Sequence, residues 1–232
     1  MKSHYVKQLF RLSGILEPVE GYPGFYYAGR RIHLPECDVF MISERLLRAK
    51  GDAMHHPEPI VGHYQYNADM DRQMRLRARP GPGGLMNEPV QHIFDIRLKE
   101  ITPENWLNDP FLVCVLLSLA QVHWSWDDGS QPRIYSPRLL VTNKADSENA
   151  YVFAADIPSQ FLDGLMNPNR SIGDIFLPPI NFTKVPFEPY INFAERIQVH
   201  LLGAEWASGL GLLRPAAALA LRGEKRARST SI

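Results

Sequence analysis

The sequence predicts an α/β or α+β domain in which a mixed β-sheet packs on one buried central helix, residues 109–124. The stretch DPFLVCVLLSLAQVHW begins with a capping aspartate and a proline, and carries no charge from Pro110 to Val122, as buried helices do. It is shorter than the about 20 apolar residues that cross a bilayer, so we expect a core helix without membrane contact. Short alternating stretches on both sides of it predict the strands of the sheet.

Composition favours one intracellular domain. The chain has 232 residues, 45% of them hydrophobic, and Lys plus Arg balance Asp plus Glu at 25 each. This balance gives no overall field for nucleic acid or membrane, and the N-terminus lacks the apolar core of a signal peptide. Cys37 and Cys114 lie in apolar surroundings, which favours reduced thiols in the cytoplasm or nucleus. We expect a domain over residues 1–203 with a loop insertion at 52–90, then a helical segment and basic disordered tail at 204–232.

Helical and extended patterns alternate ahead of the central helix. Apolar spacing predicts a helix over His4–Leu16 that stops near Gly14, and aromatic content predicts a strand at Phe25–Tyr27. RIHLPECDVFMI is expected to be one strand with Val39–Ile42 as its buried end, and Ser43 is expected to cap a helix.

Signals weaken in the insertion and then return. Short strands are expected at Val61–Tyr66 and Met74–Ala78, and the alternation of HIFDIRLKEI predicts a strand over His92–Ile101. After the central helix, the polar loop NKADSEN predicts an antiparallel hairpin of Leu139–Thr142 with Tyr151–Asp156.

Two helices are expected near the C-terminus. Ser159 is expected to cap QFLDGLM. Asn192 and Glu195 resemble a capping box for a final helix that presents an apolar face. That face comprises Phe193, Ile197 and Leu201.

The order of these elements resembles the core of the PD-(D/E)xK nuclease superfamily, which has an acidic residue on one strand, an acidic–x–lysine pair on the next and often a glutamine on the following helix. The matching positions are Asp38, Asp95, Arg97, Lys99 and Gln121. The resemblance implies a Mg²⁺ or Mn²⁺ ion held by Asp38 and Asp95, with the basic group offsetting charge at phosphate. This chain departs from the pattern because Arg97 stands where the family has lysine and Lys99 lies further along. A half-buried strand with a solvated charged face gives the same triplet without a site.

Asp38 also lies in GRRIHLPECDVFMI, which resembles a nucleotidyltransferase strand with a D-x-D metal pair. Phe40 stands in place of the second aspartate, so this resemblance implies a degenerate relative rather than a transferase.

Three further groups allow a functional and a structural interpretation. On the central helix, Cys114, Ser118, Gln121 and Ser125 form a stripe that suits either a close helix–sheet contact or the wall of a site. His55, His56, His63 and Glu58 could hold zinc, although their spacing fits no closed structural site. Arg72, Arg75, Arg77 and Arg79 fit a guarded edge strand or a nucleic-acid contact. The tail residues Lys225, Arg226 and Arg228 form a short basic run typical of a weak nuclear signal.

Asp109–Tyr190 resembles part of an uncharacterised protein family of filamentous fungi. The similarity lies in DPFLVCVLLSLAQ, RLLVT, YVFAADIPSQFLDGL and the VPFEPY…FAERI segment. No activity follows from it. The sequence therefore leaves two functions open: a non-enzymatic or catalytically degenerate intracellular domain that binds a protein or small ligand, or a metal-dependent nuclease or phosphodiesterase.

Overall fold

A seven-stranded mixed β-sheet with helices packed against it organises the larger part of the molecule. The structure is a computed structural model that describes residues 2–21, 23–50, 58–67, 78–126, 133–169 and 176–212. The chain divides into two compact units, the larger formed by Met1–Gln65 with Cys114–Ile232 and the smaller by Tyr66–Val113. The predicted fold class is confirmed.

Six strands follow one another across the main path of the sheet. In spatial order they are β1 (Leu16–Val19), β4 (Asp38–Ile42), β5 (Pro59–Tyr66), β6 (Ile134–Asn143), β7 (Asn149–Ala154) and β9 (Asn181–Pro186). Strand β8 (Ile157–Pro158) pairs with β6, and β2 (Phe25–Tyr27) pairs with β3 (Arg30–His33) in a separate two-stranded hairpin. The registers of β1 with β4, β4 with β5, β6 with β7 and β7 with β9 are antiparallel.

Six α-helices are described. They are α1 (Lys2–Ser13), α2 (Glu44–Lys50), α3 (Glu88–Ile101), α4 (Pro110–Ser125), α5 (Ser159–Met166) and α6 (Phe193–Gly209). Helix α4 is the predicted central helix, and its residues from Leu116 to Ala120 are buried. In the parts of the chain that the structure describes, no helix is long and apolar enough to cross a membrane.

Each face of the sheet is covered by different helices. Val61 of β5 lies in a large apolar cluster with residues of α1 and α6, among them Phe10 and Leu201. Because side chains alternate along a strand, the neighbouring Gly62 points to the opposite face. A Cβ added at Gly62 would come within 2.6 Å of the Leu119 side chain, so α4 approaches the sheet closely there. This approach requires a residue without a side chain.

The strand predicted at His92–Ile101 is wrong, because these residues belong to α3. Asn87 caps the helix through a 3.4 Å hydrogen bond from the Val90 amide, and Pro89 lies in its first turn. Lys99 in the last turn interacts favourably with the helix dipole. These end signals favour a helix although the side chains also alternate in polarity.

Three local predictions near helix and strand ends need correction. The single strand expected over RIHLPECDVFMI is two strands, β3 and β4. Pro158 rather than Ser159 occupies the cap position of α5, and the Ser159 hydroxyl accepts the Arg133 amide instead. The side chain of Asn192 makes no cap hydrogen bond to α6, so the capping box does not form.

Other predicted elements are confirmed. The helix ending near Gly14, the strand over Val61–Tyr66 and the antiparallel hairpin after the central helix are all present. Phe193, Ile197 and Leu201 are buried as expected. Ser43 precedes α2 as predicted, although only its carbonyl accepts helix amides. The expected strand at Met74–Ala78 and the basic tail lie outside the described residues, apart from Ala78.

The smaller unit has its own polar anchor. Asp109 caps α4 by accepting the Phe111 amide at 3.0 Å, as the sequence predicts. Its other carboxylate oxygen accepts the buried Tyr66 hydroxyl at 2.7 Å, and the Tyr66 ring packs on Trp106 with centroids 4.9 Å apart.

Candidate functional site

The β2–β3 hairpin is the most distinctive exposed feature of the larger unit. Tyr27 pairs with Arg30 across a two-residue turn whose members, Ala28 and Gly29, have φ angles of 50° and 71°. Positive φ at both turn residues is the geometry of the tight hairpin turns that match strand twist. Alanine rarely adopts this conformation, so the surrounding structure must hold Ala28 there.

A backbone contact to α5 provides part of this support. The Ala28 amide donates to the Leu165 carbonyl at 2.8 Å. Leu165 lies in the last turn of α5, where carbonyl groups lack partners within the helix. The turn of the hairpin is therefore hydrogen-bonded to a helix end.

Gln121 of α4 fixes the first strand of the hairpin. Its Oε1 accepts the Tyr26 amide at 2.9 Å, and its Nε2 donates to the Tyr26 carbonyl at 2.8 Å. Gln121 is only 4% exposed. The amide group thus pairs with both backbone groups of one residue, as a neighbouring strand would, and both of its polar atoms are used.

The outward side chains of the hairpin and of the residues just after it are aromatic, basic or apolar. We call them the hairpin surface: Tyr26, Tyr27, Arg30, Arg31, Ile32 and Leu34. Ile32 is 60% exposed and Tyr27 46%. Among the described residues, neither Arg30 nor Arg31 has an ion-pair or hydrogen-bond partner for its side chain. The register places Tyr26 opposite Arg31 and Tyr27 opposite Arg30, so consecutive pairs point to opposite sides of the hairpin.

An open cavity of about 500 Å³ lies against the turn of the hairpin. It is lined by Ala28, Met166, Asn167, Pro168 and Asn169, the last four at and after the C-terminal end of α5. Ala28, Asn167, Pro168 and Asn169 are all exposed, so this cavity is a wide-open depression of the surface and not an enclosed pocket.

The residues that the sequence predicted for nuclease chemistry are divided between the two units. Asp38 begins β4, and its Oδ2 lies 3.4 Å from Nδ1 of His63, a residue that is 1% exposed. Nε2 of His63 is buried and has no hydrogen-bond partner in the described part of the chain. Asp38 and Gln121 belong to the larger unit, while Asp95, Arg97 and Lys99 belong to the smaller one.

Helix α3 changes the geometry of the acidic–x–basic triplet. On a helix, residues two positions apart do not face each other, so Asp95 and Arg97 diverge, whereas Asp95 and Lys99 share a side. Asp95 accepts a hydrogen bond from Gln91 Nε2 at 2.9 Å, and α3 contains no buried residue. The strand pairing that the nuclease resemblance implies is not found at this triplet.

The residues of the predicted metal and nucleic-acid sites lie partly inside and partly outside the described ranges. Within the described ranges, no three His, Cys, Asp or Glu side chains form a group that could hold a metal ion. His55, His56, Arg72, Arg75 and Arg77 lie outside those ranges. Arg79 is exposed, and burial raises the pKa of Glu58 to about 6. One oxygen of Glu58 is buried without a hydrogen-bond partner in the described residues.

The two serine side chains on α4 donate hydrogen bonds to backbone carbonyls of the same helix. The Ser118 hydroxyl donates to the Cys114 carbonyl at 2.7 Å, and the Ser125 hydroxyl donates to the Val122 carbonyl at 2.7 Å. Gln121, by contrast, makes hydrogen bonds that leave the helix and reach the Tyr26 backbone.

The sequence prediction identified Gln121 but not the hairpin that it holds. Strand β2 was expected, whereas its pairing with Arg30–His33 was not. The signal available was FYYAGRR, in which Ala-Gly separates two tyrosines from two arginines. Comparison with protein-family models, curated proteins and solved structures finds no match for the chain. The resemblances to a fungal family and to nucleases therefore stay predictions.

Proposed function

We propose that this chain is a non-catalytic intracellular domain that binds a protein or ligand through the hairpin surface. One observation carries the proposal: the side-chain amide of Gln121, which is 4% exposed, forms hydrogen bonds through both its oxygen and its nitrogen with the Tyr26 backbone. A buried amide is costly unless it is fully hydrogen-bonded, and here those bonds hold an exposed element in place.

The chemistry of the exposed side chains supports a binding role. Tyrosine and arginine are enriched at the energetically dominant positions of interfaces, and the hairpin surface has two of each. Anchoring by Gln121 and Leu165 orders the backbone before a partner arrives, which lowers the entropic cost of binding.

The nuclease alternative is tested beside this proposal. Purified protein is titrated with Mn²⁺ in a calorimeter and incubated with mixed single- and double-stranded DNA and RNA. The proposal predicts no heat above the dilution control and no cleavage. Asp38→Asn and Asp95→Asn serve as matched variants, since each removes one carboxylate charge and keeps the side-chain size.

Mn²⁺ binding and cleavage that both disappear in these two variants, with thermal melting unchanged, would overturn the non-catalytic proposal. The two carboxylates would then hold the ion, as hard oxygen ligands do for Mn²⁺ and Mg²⁺.

A further inference from the structure

We infer that two copies of this chain associate by pairing strand β9 of one copy antiparallel with β9 of the other, about a two-fold axis beside Thr183. This inference goes beyond the proposed function, because it assigns a second surface and names a second copy as its occupant. Strand β9 ends the main path of the sheet and pairs with β7 on one side. In the described part of the chain, its other side is an open edge.

The open edge of β9 presents the backbone groups of two residues, Phe182 and Lys184. The Phe187 amide, directly after β9, donates to the carbonyl of the residue before β7 at 2.8 Å. Because backbone groups alternate in direction along a strand, those of Thr183 and Val185 also point to β7, and those of Phe182 and Lys184 point away from it. Among the described residues, these outward amides and carbonyls have no hydrogen-bond partner. Such an edge is a template for another strand.

The opposite edge of the sheet, β1, is less suited to strand pairing. The Ser43 amide, directly after β4, donates to the Ile15 carbonyl at 2.8 Å, so the backbone groups of Leu16 and Pro18 point outward by the same alternation. Proline has no amide hydrogen, which leaves Leu16 as the single outward donor of this four-residue strand. Strand β9 is therefore the edge that can form several consecutive hydrogen bonds with another chain.

One two-fold register uses all of the outward groups of Phe182 and Lys184. If Phe182 pairs with the partner's Lys184, symmetry pairs Lys184 with the partner's Phe182, and each pair exchanges two backbone hydrogen bonds. Pro186 is the next outward position and lacks an amide hydrogen. An axis moved to Lys184 would pair Phe182 with this proline and lose donors, so the register about Thr183 is the more complete one.

The side chains are compatible with the same register. Phe182 is 40% exposed, and its ring packs on Phe153 with centroids 5.6 Å apart. The partner's Lys184 would lie directly opposite on the same face, where its apolar stem and ammonium group can cover the aromatic ring. Thr183 would lie opposite the partner's Thr183, a favourable cross-strand pair. An axis at Lys184 would instead place two lysines opposite each other, which is destabilising.

Exposed apolar side chains lie at both ends of β9. Phe176 and Leu177 precede the strand, Tyr190 and Ile191 follow it, and the exposed fraction reaches 95% at Ile191. In an antiparallel pair, the start of one strand lies beside the end of the other, so the first two residues approach the partner's last two. A standard interface buries about 800 Å² per partner, which two short strands do not supply, and these side chains add apolar area on both sides of the strand pair.

The test is sedimentation velocity of the purified full chain from low micromolar concentrations to about 200 μM, over which we expect wild type to shift from monomer to dimer. Lys184→Pro removes two of the four intermolecular hydrogen bonds and no bond to β7. Lys184→Ala is the matched control, since it also lacks the long side chain but retains the amide. The dissociation constant of the dimer should be at least about tenfold higher for Lys184→Pro than for Lys184→Ala. Thermal melting establishes that both variants are folded.

Disulfide cross-linking tests the register independently of Lys184→Pro. Thr183→Cys should link the two copies under mild oxidation, because residues of a non-hydrogen-bonded antiparallel pair have Cα atoms about 4.5 Å apart, within the about 4.4–6.8 Å of disulfides. Lys184→Cys is the matched control, since the two copies of this position lie diagonally, about 7–8 Å apart. Wild type, which has Cys37 and Cys114, gives the background.

Three results would overturn the inference: a wild type that stays monomeric over the whole range, a dimer that Lys184→Pro and Lys184→Ala weaken alike, or equal disulfide yields at positions 183 and 184. A monomeric wild type would leave the open edge of β9 to a strand of a different protein. A dimer that both variants weaken alike associates through another surface. Neither result bears on the binding role of the hairpin surface.

Discussion

The two hairpins of the larger unit, β2–β3 and β6–β7, share an antiparallel motif but are stabilised in different ways. Strands β6 and β7 have ten and six residues, and Leu140 and Val152 on them lie in the main apolar cluster. Strands β2 and β3 have three and four residues, none of them buried. The first hairpin therefore depends on polar contacts to α4 and α5, while the second depends on burial.

The loop of the β6–β7 hairpin has a polar centre as well. Asp146 accepts hydrogen bonds from the Tyr151 hydroxyl at 2.7 Å and from the amides of Glu148 and Asn149 at 2.8 and 3.0 Å. Burial raises the pKa of Asp146, but these hydrogen bonds together outweigh it, so the pKa lies below its usual value. In each hairpin, one polar side chain thus forms several hydrogen bonds that stabilise it. Asp146 is close in sequence to the residues that it contacts, whereas Gln121 is far in sequence from Tyr26.

The largest expected effect is the difference in stability lost when an aspartate replaces a buried residue of one hairpin and an exposed residue of the other. Leu140→Asp should prevent folding, because Leu140 is 0% exposed and an unpaired buried carboxylate costs several kcal/mol against a stability of roughly 5–15. Ile32→Asp makes a comparable change on β3, where the side chain is 60% exposed, and should shift stability by less than about 0.5 kcal/mol. Urea unfolding of both variants is the measurement, and equal losses would mean that the hairpins do not differ in burial.

The next effect concerns the hydrogen bonds between Gln121 and Tyr26, which hold the exposed hairpin. Gln121→Leu keeps the helix apolar but leaves the Tyr26 amide and carbonyl without their partner, which costs about 1–3 kcal/mol. Gln121→Glu is the matched variant, because it retains an acceptor for the Tyr26 amide and loses the donor to the carbonyl. Chemical denaturation should rank wild type above both. A Gln121→Leu protein as stable as wild type would contradict the anchoring role.

A smaller, pH-dependent effect is expected at the β6–β7 loop. Burial, together with the hydrogen bond and charge of Asp146, raises the pKa of Tyr151 from 10.0 to about 12. The folded state therefore favours the protonated phenol, and its stabilisation is complete below pH 10 and lost as pH rises towards about 12. The lowered pKa of Asp146 has the opposite sign, so its contribution is present above about pH 3.8 and lost below that value.

Tyr151→Phe should accordingly cost about 1 kcal/mol near neutral pH, with the difference from wild type shrinking at both extremes. Thermal melting across pH measures it. Tyr27→Phe on the exposed hairpin is the matched control, since its hydroxyl has no partner in the described part of the chain, and should leave the melting temperature near neutral pH unchanged. A pH-independent difference for Tyr151→Phe would exclude a hydrogen bond to an ionised Asp146.

Local patterns explain what could be predicted from the sequence. The central helix and the β6–β7 hairpin each carry their signal within a short window, as a charge-free run or as apolar stretches around a polar loop. For α3 the alternation of HIFDIRLKEI favoured a strand, while Asn87 and Pro89, just outside that window, favoured a helix. The sequence therefore predicted the fold class correctly but predicted a strand in place of helix α3.

The candidate site could not be predicted in the same way. Gln121 and Tyr26 are separated by 95 positions, and no local pattern indicates that one side chain will hydrogen-bond that backbone. The resemblance to nucleases identified Gln121 by its position on a helix and implied that it lies in a catalytic site. In the structure, its side chain instead forms hydrogen bonds with the backbone of an exposed hairpin.

Amide hydrogen exchange at Tyr26 tests the central claim, that Gln121 anchors the hairpin, most directly. In wild type we expect this amide to exchange at least about tenfold more slowly than in an unfolded chain, and Gln121→Leu should remove that protection while the amide of Val152 on β7 stays protected. Rapid exchange at Tyr26 in wild type, or equal protection in both proteins, would contradict the anchored hairpin.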